Sequence, residues 1–124
     1  MENLVIEGTK KTPEIQFLSD GKLKISGRSI PEDPSKFYNT LLLWVYDYCN
    51  NLSPATVVDI DLEYFNSGSS KYILQLLREL KVASDKGNEI KINWYYEEGD
   101  DDILERGEYY ASILEIDINF IEVK

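Results

Sequence analysis

Three serines, Ser67, Ser69 and Ser70, surround Gly68 between a run that alternates like a strand and a run with helical spacing. The strand pattern ends at Tyr64-Phe65 and the helix pattern starts near Ser69. Hydroxyls placed there sit at the positive end of a helix, beside N–H groups that lack an intrahelical acceptor. That environment suits a phosphate. It does not suit a catalytic nucleophile. The chain has no histidine to take a serine proton, no Gly-x-Ser-x-Gly elbow, and only one glycine in this loop. Two readings of the serines remain. They cap the helix, or they accept a phosphoryl group that adds about −1.5 to −2 of charge.

Carboxylates are the other groups with chemistry. Asp59, Asp61 and Glu63 alternate along one strand and share its outward face, where a hard divalent cation is conceivable. Such a face on a half-wet strand is usually only solvated, with Lys91 and Asn93 on a neighbouring strand available as partners. The acidic run from Glu97 to Asp102 lacks calcium-loop spacing and precedes a helix, where acids favour the dipole. No metal site and no cofactor are expected. Without histidine, imidazole acid–base catalysis and His-ligated zinc are also excluded.

The composition agrees. A chain of 124 residues with 43% hydrophobic content is read as one domain, residues 1–124, with a real core. Thirteen basic against 23 acidic residues give a net charge of −10. Such charge disfavours nucleic acid and anionic membrane and fits a basic protein surface. No apolar run approaches the ~18 residues of a membrane span, and the N-terminus lacks a signal-peptide pattern. A cytoplasmic protein is expected. Cys49, the sole cysteine, falls in an apolar helical pattern and reads as a buried, inert thiol.

The elements that must position the serines follow from periodicity. The first twelve residues read as an arm with a short anchor, Leu4-Val5-Ile6, closed by Pro13. Residues 14–18 and 22–27 alternate around a Ser19-Asp20-Gly21 turn and form a hairpin. After a loop and helix entry at 31–35, Phe37, Leu41, Trp44, Val45 and Tyr48 follow helical spacing, with Asn50-Asn51 and Pro54 as the stop. Residues 56–64 are a strand with Val58, Ile60 and Leu62 inward. The second helix covers 69–85, with Ile73, Leu76, Leu77 and Leu80 as its core face and Lys86-Gly87-Asn88 as its stop. A strand over 89–96, a third helix over 99–114 and a strand over 116–123 complete the order β-β-α-β-α-β-α-β. Strands that feed helices imply right-handed crossovers and parallel neighbours. The first hairpin is antiparallel, and alternation leaves one sheet face wet. The fold class is therefore α/β, a two-layer domain with a mixed sheet and helices on one face.

The segment from Asp61 to Lys71, Asp-Leu-Glu-Tyr-Phe-Asn-Ser-Gly-Ser-Ser-Lys, resembles the Asp-Leu-Glu-Tyr-Phe-Asn-Thr-Ser-Ser-Ser-Lys signature of the SiaC family of bacterial regulatory phosphoproteins. Gly8-Thr9 with Thr12-Pro13-Glu14-Ile15, then Gly27 to Asp33, and Trp94 to Glu98 followed by acids agree in the same order. The family is similar to STAS domains, the fold of anti-sigma-factor antagonists. The resemblance implies a non-enzymatic partner switch. A cognate Ser/Thr kinase modifies the hydroxyl residue after the asparagine, and a PP2C-type phosphatase clears it. The unmodified form activates a diguanylate cyclase in cyclic di-GMP signalling. The matching hydroxyl here is Ser67. Gly68 replaces a family serine, which leaves Ser69 as a second candidate phosphosite. The implied partner surface is Tyr64, Phe65, Asn66, Ser67, Gly68, Ser69, Ser70 and Lys71. The alternatives from other classes are a constitutive interaction module and a carboxylate-based, metal-dependent enzyme.

Overall fold

Ten residues of β-branched, aromatic and alternating character, Thr56–Phe65, form the strand on which the molecule is organised. In the computed structural model, which describes residues 2–51 and 55–124, the elements are β1 (Leu4–Ile6), β2 (Glu14–Phe17), β3 (Lys22–Ser29), α1 (Pro34–Asn50), β4 (Thr56–Phe65), α2 (Ser67–Asp85), β5 (Ile90–Glu97), α3 (Asp101–Leu114) and β6 (Asn119–Val123). Pro54, expected to stop the first helix, lies outside the described residues.

The six strands lie side by side in chain order. β1, β2 and β3 pair antiparallel, and β3 through β6 pair parallel. Three successive crossovers therefore advance across the sheet in one direction. A common right hand places α1, α2 and α3 on the same face. Val58, Ile60 and Leu62 of β4, with Ile92 and Trp94 of β5, are buried against Leu41 and Val45 of α1 and Ile73, Leu76, Leu77 and Leu80 of α2. The other face carries Asp61, Glu63 and Lys91 in water. The expected mixed two-layer architecture is what the chain adopts.

Two corrections concern its edges. Leu4–Ile6 is not an anchor on a loose arm but a sixth strand, paired with β2 through Leu4 and Phe17, Val5 and Gln16, Ile6 and Ile15. Three residues are too few for alternation to reveal a strand; the ladder offered by β2 decides it. In α1 the aromatic residues that reach the core are Tyr38 and Tyr48, while Phe37 and Trp44 are only half-buried. Tyr38, Leu41, Val45 and Tyr48 are the buried line of that helix.

α1 begins with Asp33, whose side chain accepts from the Lys36 N–H, followed by Pro34 in the first turn. Its far end is tied to β4 by Tyr48 and Thr56, whose hydroxyls lie 2.6 Å apart. Cys49 is partly covered, and burial, reinforced by the Glu79 charge, pushes its thiol up to about 11.

Candidate regulatory site at the start of helix α2

α2 starts two residues earlier than the serine pattern implies. Asn66, not a serine, is the cap. Its backbone is extended (φ −85°, ψ 173°), and its Oδ1 accepts the Ser69 N–H at 2.9 Å. The Asn66 carbonyl oxygen also accepts from the N–H groups of Ser69 and Ser70, each at 3.1 Å. Asparagine competes for this place because its short amide reaches the third residue of the turn. Ser67 is thus the first helical residue and Gly68 the second. Gly68 lies within the helix, and a Cβ there would lie 3.3 Å from Pro34 Cγ of α1.

The three serines have different surroundings. Ser69 is fully buried. Its hydroxyl donates to the Ser29 carbonyl oxygen at 3.0 Å and accepts from the Ser29 hydroxyl at 2.9 Å. The Ser29 proton being used, the Tyr38 hydroxyl donates to Ser29 Oγ at 2.5 Å. Burial pushes the Tyr38 phenol up, and its serine bonds pull it partly back. Ser70 is half-buried and bonded to the Tyr110 hydroxyl of α3. Burial also raises Tyr110, opposed by Ser70 and by the Arg106 charge. Ser67 is exposed and its hydroxyl takes part in none of these bonds.

Ser67 opens onto a groove of about 540 Å³ between α2 and α3, lined also by Lys71, Leu74, Arg106 and Tyr109. Arg106 forms part of its wall. Its guanidinium donates to the Phe65 carbonyl oxygen at 2.6 Å, rests 4.5 Å from the Phe65 ring centroid, and pairs with Asp102 at 3.4 Å. Arg106 was not singled out from sequence, and Tyr110 stood out only as a residue of the third helix's apolar pattern, not as a partner of the serines. Each lies some forty positions from its partner on β4 or α2, and no local pattern carries that pairing.

Among the residues expected to meet a partner, Tyr64, Ser67 and Lys71 reach solvent, and Asn66, Gly68 and Ser70 are half-buried. Phe65 and Ser69 are buried and belong to the fold rather than to its surface. On the open sheet face Asp59 is held by the Asn93 amide at 2.9 Å and the Tyr95 hydroxyl at 3.2 Å. Desolvation, followed by the Asp59 charge, raises the Tyr95 phenol. A second groove of about 550 Å³ lies between α1 and α2, flanked by Leu42, Leu43, Tyr46 and Arg78, on the outer surface of those helices and without Ser67 in its lining.

The sequence profile of the SiaC family of regulatory phosphoproteins matches residues 6–123. The chain belongs to the SiaC family. It is 28% identical over 111 residues to an uncharacterised protein of Pseudomonas aeruginosa strain UCBPP-PA14, covering 89% of this chain and 88% of the relative. The structure of SiaC of Pseudomonas aeruginosa superposes with a TM-score of 0.86 at 26% identity, covering 100% of this chain and 98% of that one. A crystal structure of the diguanylate cyclase SiaD in complex with its activator SiaC, from the same organism, contains a chain that matches with a TM-score of 0.90 at 25% identity, over 97% of this chain and 99% of that one. SiaC-family membership makes this chain a regulatory phosphoprotein by kind. Among its described residues, no helix is long and apolar enough to cross a membrane.

Proposed function

We propose that this protein is a non-enzymatic adaptor whose unmodified form binds and activates a diguanylate cyclase, and that phosphorylation of Ser67 releases the cyclase. A cognate Ser/Thr kinase transfers the terminal phosphoryl group of a nucleoside triphosphate to Ser67 Oγ, the hydroxyl proton leaves, and the nucleoside diphosphate departs. A PP2C-type phosphatase hydrolyses the ester and restores the hydroxyl. The observation that carries this reading is the contrast among the three serines. Ser67 alone is exposed, whereas Ser69 is buried in a hydrogen-bonded network and Ser70 is engaged by Tyr110. A kinase needs an accessible hydroxyl, and Ser67 supplies it. The activator in the matched cyclase complex supports the choice of partner.

The energetics are sufficient. A phosphate of about −1.5 to −2 charge taken into an interface shaped for the neutral hydroxyl loses hydration that this interface does not replace. A loss of about 3 kcal/mol weakens binding by more than a hundredfold.

The test measures binding and cyclic di-GMP production with the diguanylate cyclase of the same host. It compares the wild type, Ser67→Ala, Ser67→Glu and the kinase-treated protein. Ser67→Ala is expected to bind and activate like the wild type and to resist the kinase. The phosphorylated protein is expected to bind at least about a hundredfold more weakly, and Ser67→Glu, with one charge, to fall between. Equal binding and activation by all four forms would make the protein a constitutive interaction module and overturn the switch.

A further inference from the structure

The groove between α2 and α3 contains a cation that the unmodified fold leaves partly unused. Arg106 presents five N–H donors in a rigid fork. One donates to the Phe65 carbonyl oxygen, where β4 ends and the chain turns toward Ser67. The Nε side faces Asp102, one turn earlier on α3, at 3.4 Å, a loose pairing with a carboxylate that is 66% exposed. The guanidinium carbon lies over the Phe65 ring, 4.5 Å from its centroid, a cation–π contact that helps to hold it. The fork is therefore held by the Phe65 ring and the backbone, while its anionic partner is largely exposed to water. Ser67 and Arg106 line the same groove, with Lys71 one helical turn beyond Ser67.

We propose that Arg106 is the intramolecular receptor of the Ser67 phosphate: on modification the phosphate displaces Asp102 from the guanidinium and closes the Ser67 end of the α2–α3 groove. This rests on the reading of Ser67 as the modified residue and adds how the modification is registered. A phosphate offers three acceptor oxygens and more charge than a carboxylate, and the planar fork binds it through two parallel bonds. Asp102 and Glu105, which also line the groove, are repelled by the incoming charge; Lys71 adds attraction from the α2 side. Phosphorylation then removes the groove that the unmodified protein presents, besides adding charge to its rim. Arg106 acts here as a positioning residue.

The test does not depend on any kinase. Phosphoserine is incorporated at position 67 during synthesis, and the second ionisation of the phosphate is followed by phosphorus NMR in the folded protein and in the same protein unfolded in urea. Folding is expected to lower that pKa by about one unit, as a nearby opposite charge does. Arg106→Gln is expected to abolish most of the shift, Arg106→Lys to retain part of it, and Asp102→Asn, a surface change, to deepen it by removing the competing anion. Because Arg106→Gln also removes the bond to Phe65, its fold is checked by circular dichroism, and the Asp102→Asn result decides should that variant unfold. A phosphate that titrates alike in folded and unfolded wild type overturns the proposal. So does a shift unchanged in folded Arg106→Gln, or one unmoved by Asp102→Asn. Cyclase binding by the same phosphoprotein reports separately on the switch, so a phosphate that pairs with Arg106 yet leaves binding intact would refute the switch and not the pairing.

Discussion

The Ser69 hydroxyl donates to the Ser29 carbonyl oxygen at 3.0 Å, across forty positions of sequence, and in doing so fastens the start of α2 to the end of β3. The same hydroxyl accepts from Ser29 Oγ, so one side chain closes a buried chain of bonds that reaches Tyr38 of α1. Ser69→Ala removes both bonds and leaves buried polar groups short of partners. A loss of about 1–3 kcal/mol is expected, read from urea denaturation. Phosphopeptide mapping after kinase treatment is expected to place the phosphate on Ser67 in both wild type and Ser69→Ala, because Ser69 Oγ has no path to solvent. A phosphate on Ser69 in the folded wild type would contradict this.

Asn66 sets where α2 begins, and so where Ser67 stands. Asn66→Ala loses the bond to the Ser69 N–H and is expected to cost about 1 kcal/mol, whereas Asn66→Asp retains an acceptor of equal capping strength and is expected to be nearly neutral. Paired denaturation curves for the two variants check the difference. A uniform loss in both would mean that the amide group, not the cap oxygen, matters.

How much of this was legible beforehand follows from the range of each interaction. The face of β4 was readable because Val58, Ile60 and Leu62 repeat with the pleat itself, and burial obeys that period. The order of elements was readable for the same reason. The strand Leu4–Ile6 was not, because three residues show no period and their structure is imposed by β2. The helix start was misplaced by two residues since Asn66 and the serines are all good caps, and only the extended backbone at Asn66 decides between them. At the candidate site, the cluster of Ser67, Ser69 and Ser70 was visible from local sequence. Arg106, Ser29 and Tyr110 were not, since each meets the serine segment or Phe65 only after the sheet has assembled.

Gly107 of α3 is in contact with the Trp94 ring: a Cβ built there would lie 2.7 Å from Trp94 Cε2 and Nε1. Trp94 has little freedom to yield. Its Nε1 donates to the Ile103 carbonyl oxygen at 3.0 Å, and the rings of Phe65 and Tyr110 meet it edge-on. Gly107→Ala gains up to about 1 kcal/mol of helix propensity but suffers about 1–3 kcal/mol of overpacking. Net destabilisation is expected, together with a shift in tryptophan emission. A stabilised variant would show that α3 slides freely on the sheet, which would also loosen Arg106 from Phe65.

Three buried phenols give the protein an alkaline limit. Desolvation raises the pKa of Tyr38, Tyr48 and Tyr110 above the ordinary value of 10.0, each against the pull of a hydroxyl partner. Well below pH 10, up to about pH 9, all three are protonated in the folded and unfolded chains alike, so their contribution to stability is fully present. Above it the unfolded chain releases its protons first, so stability falls as pH rises through the folded pKa values. Denaturation midpoints are therefore expected to be insensitive to these groups up to about pH 9 and to drop steeply beyond about pH 10. Tyrosinate absorbance provides the second measurement. Of the nine tyrosines, these three and Tyr95 are expected to ionise above the ordinary value, the three buried ones together with the loss of far-ultraviolet circular dichroism, because charging Tyr38 in place would strand an anion among core side chains. Their ionisation at the ordinary pH with the dichroism intact would show that the hydroxyl network around Ser29 and Ser69 is open to water.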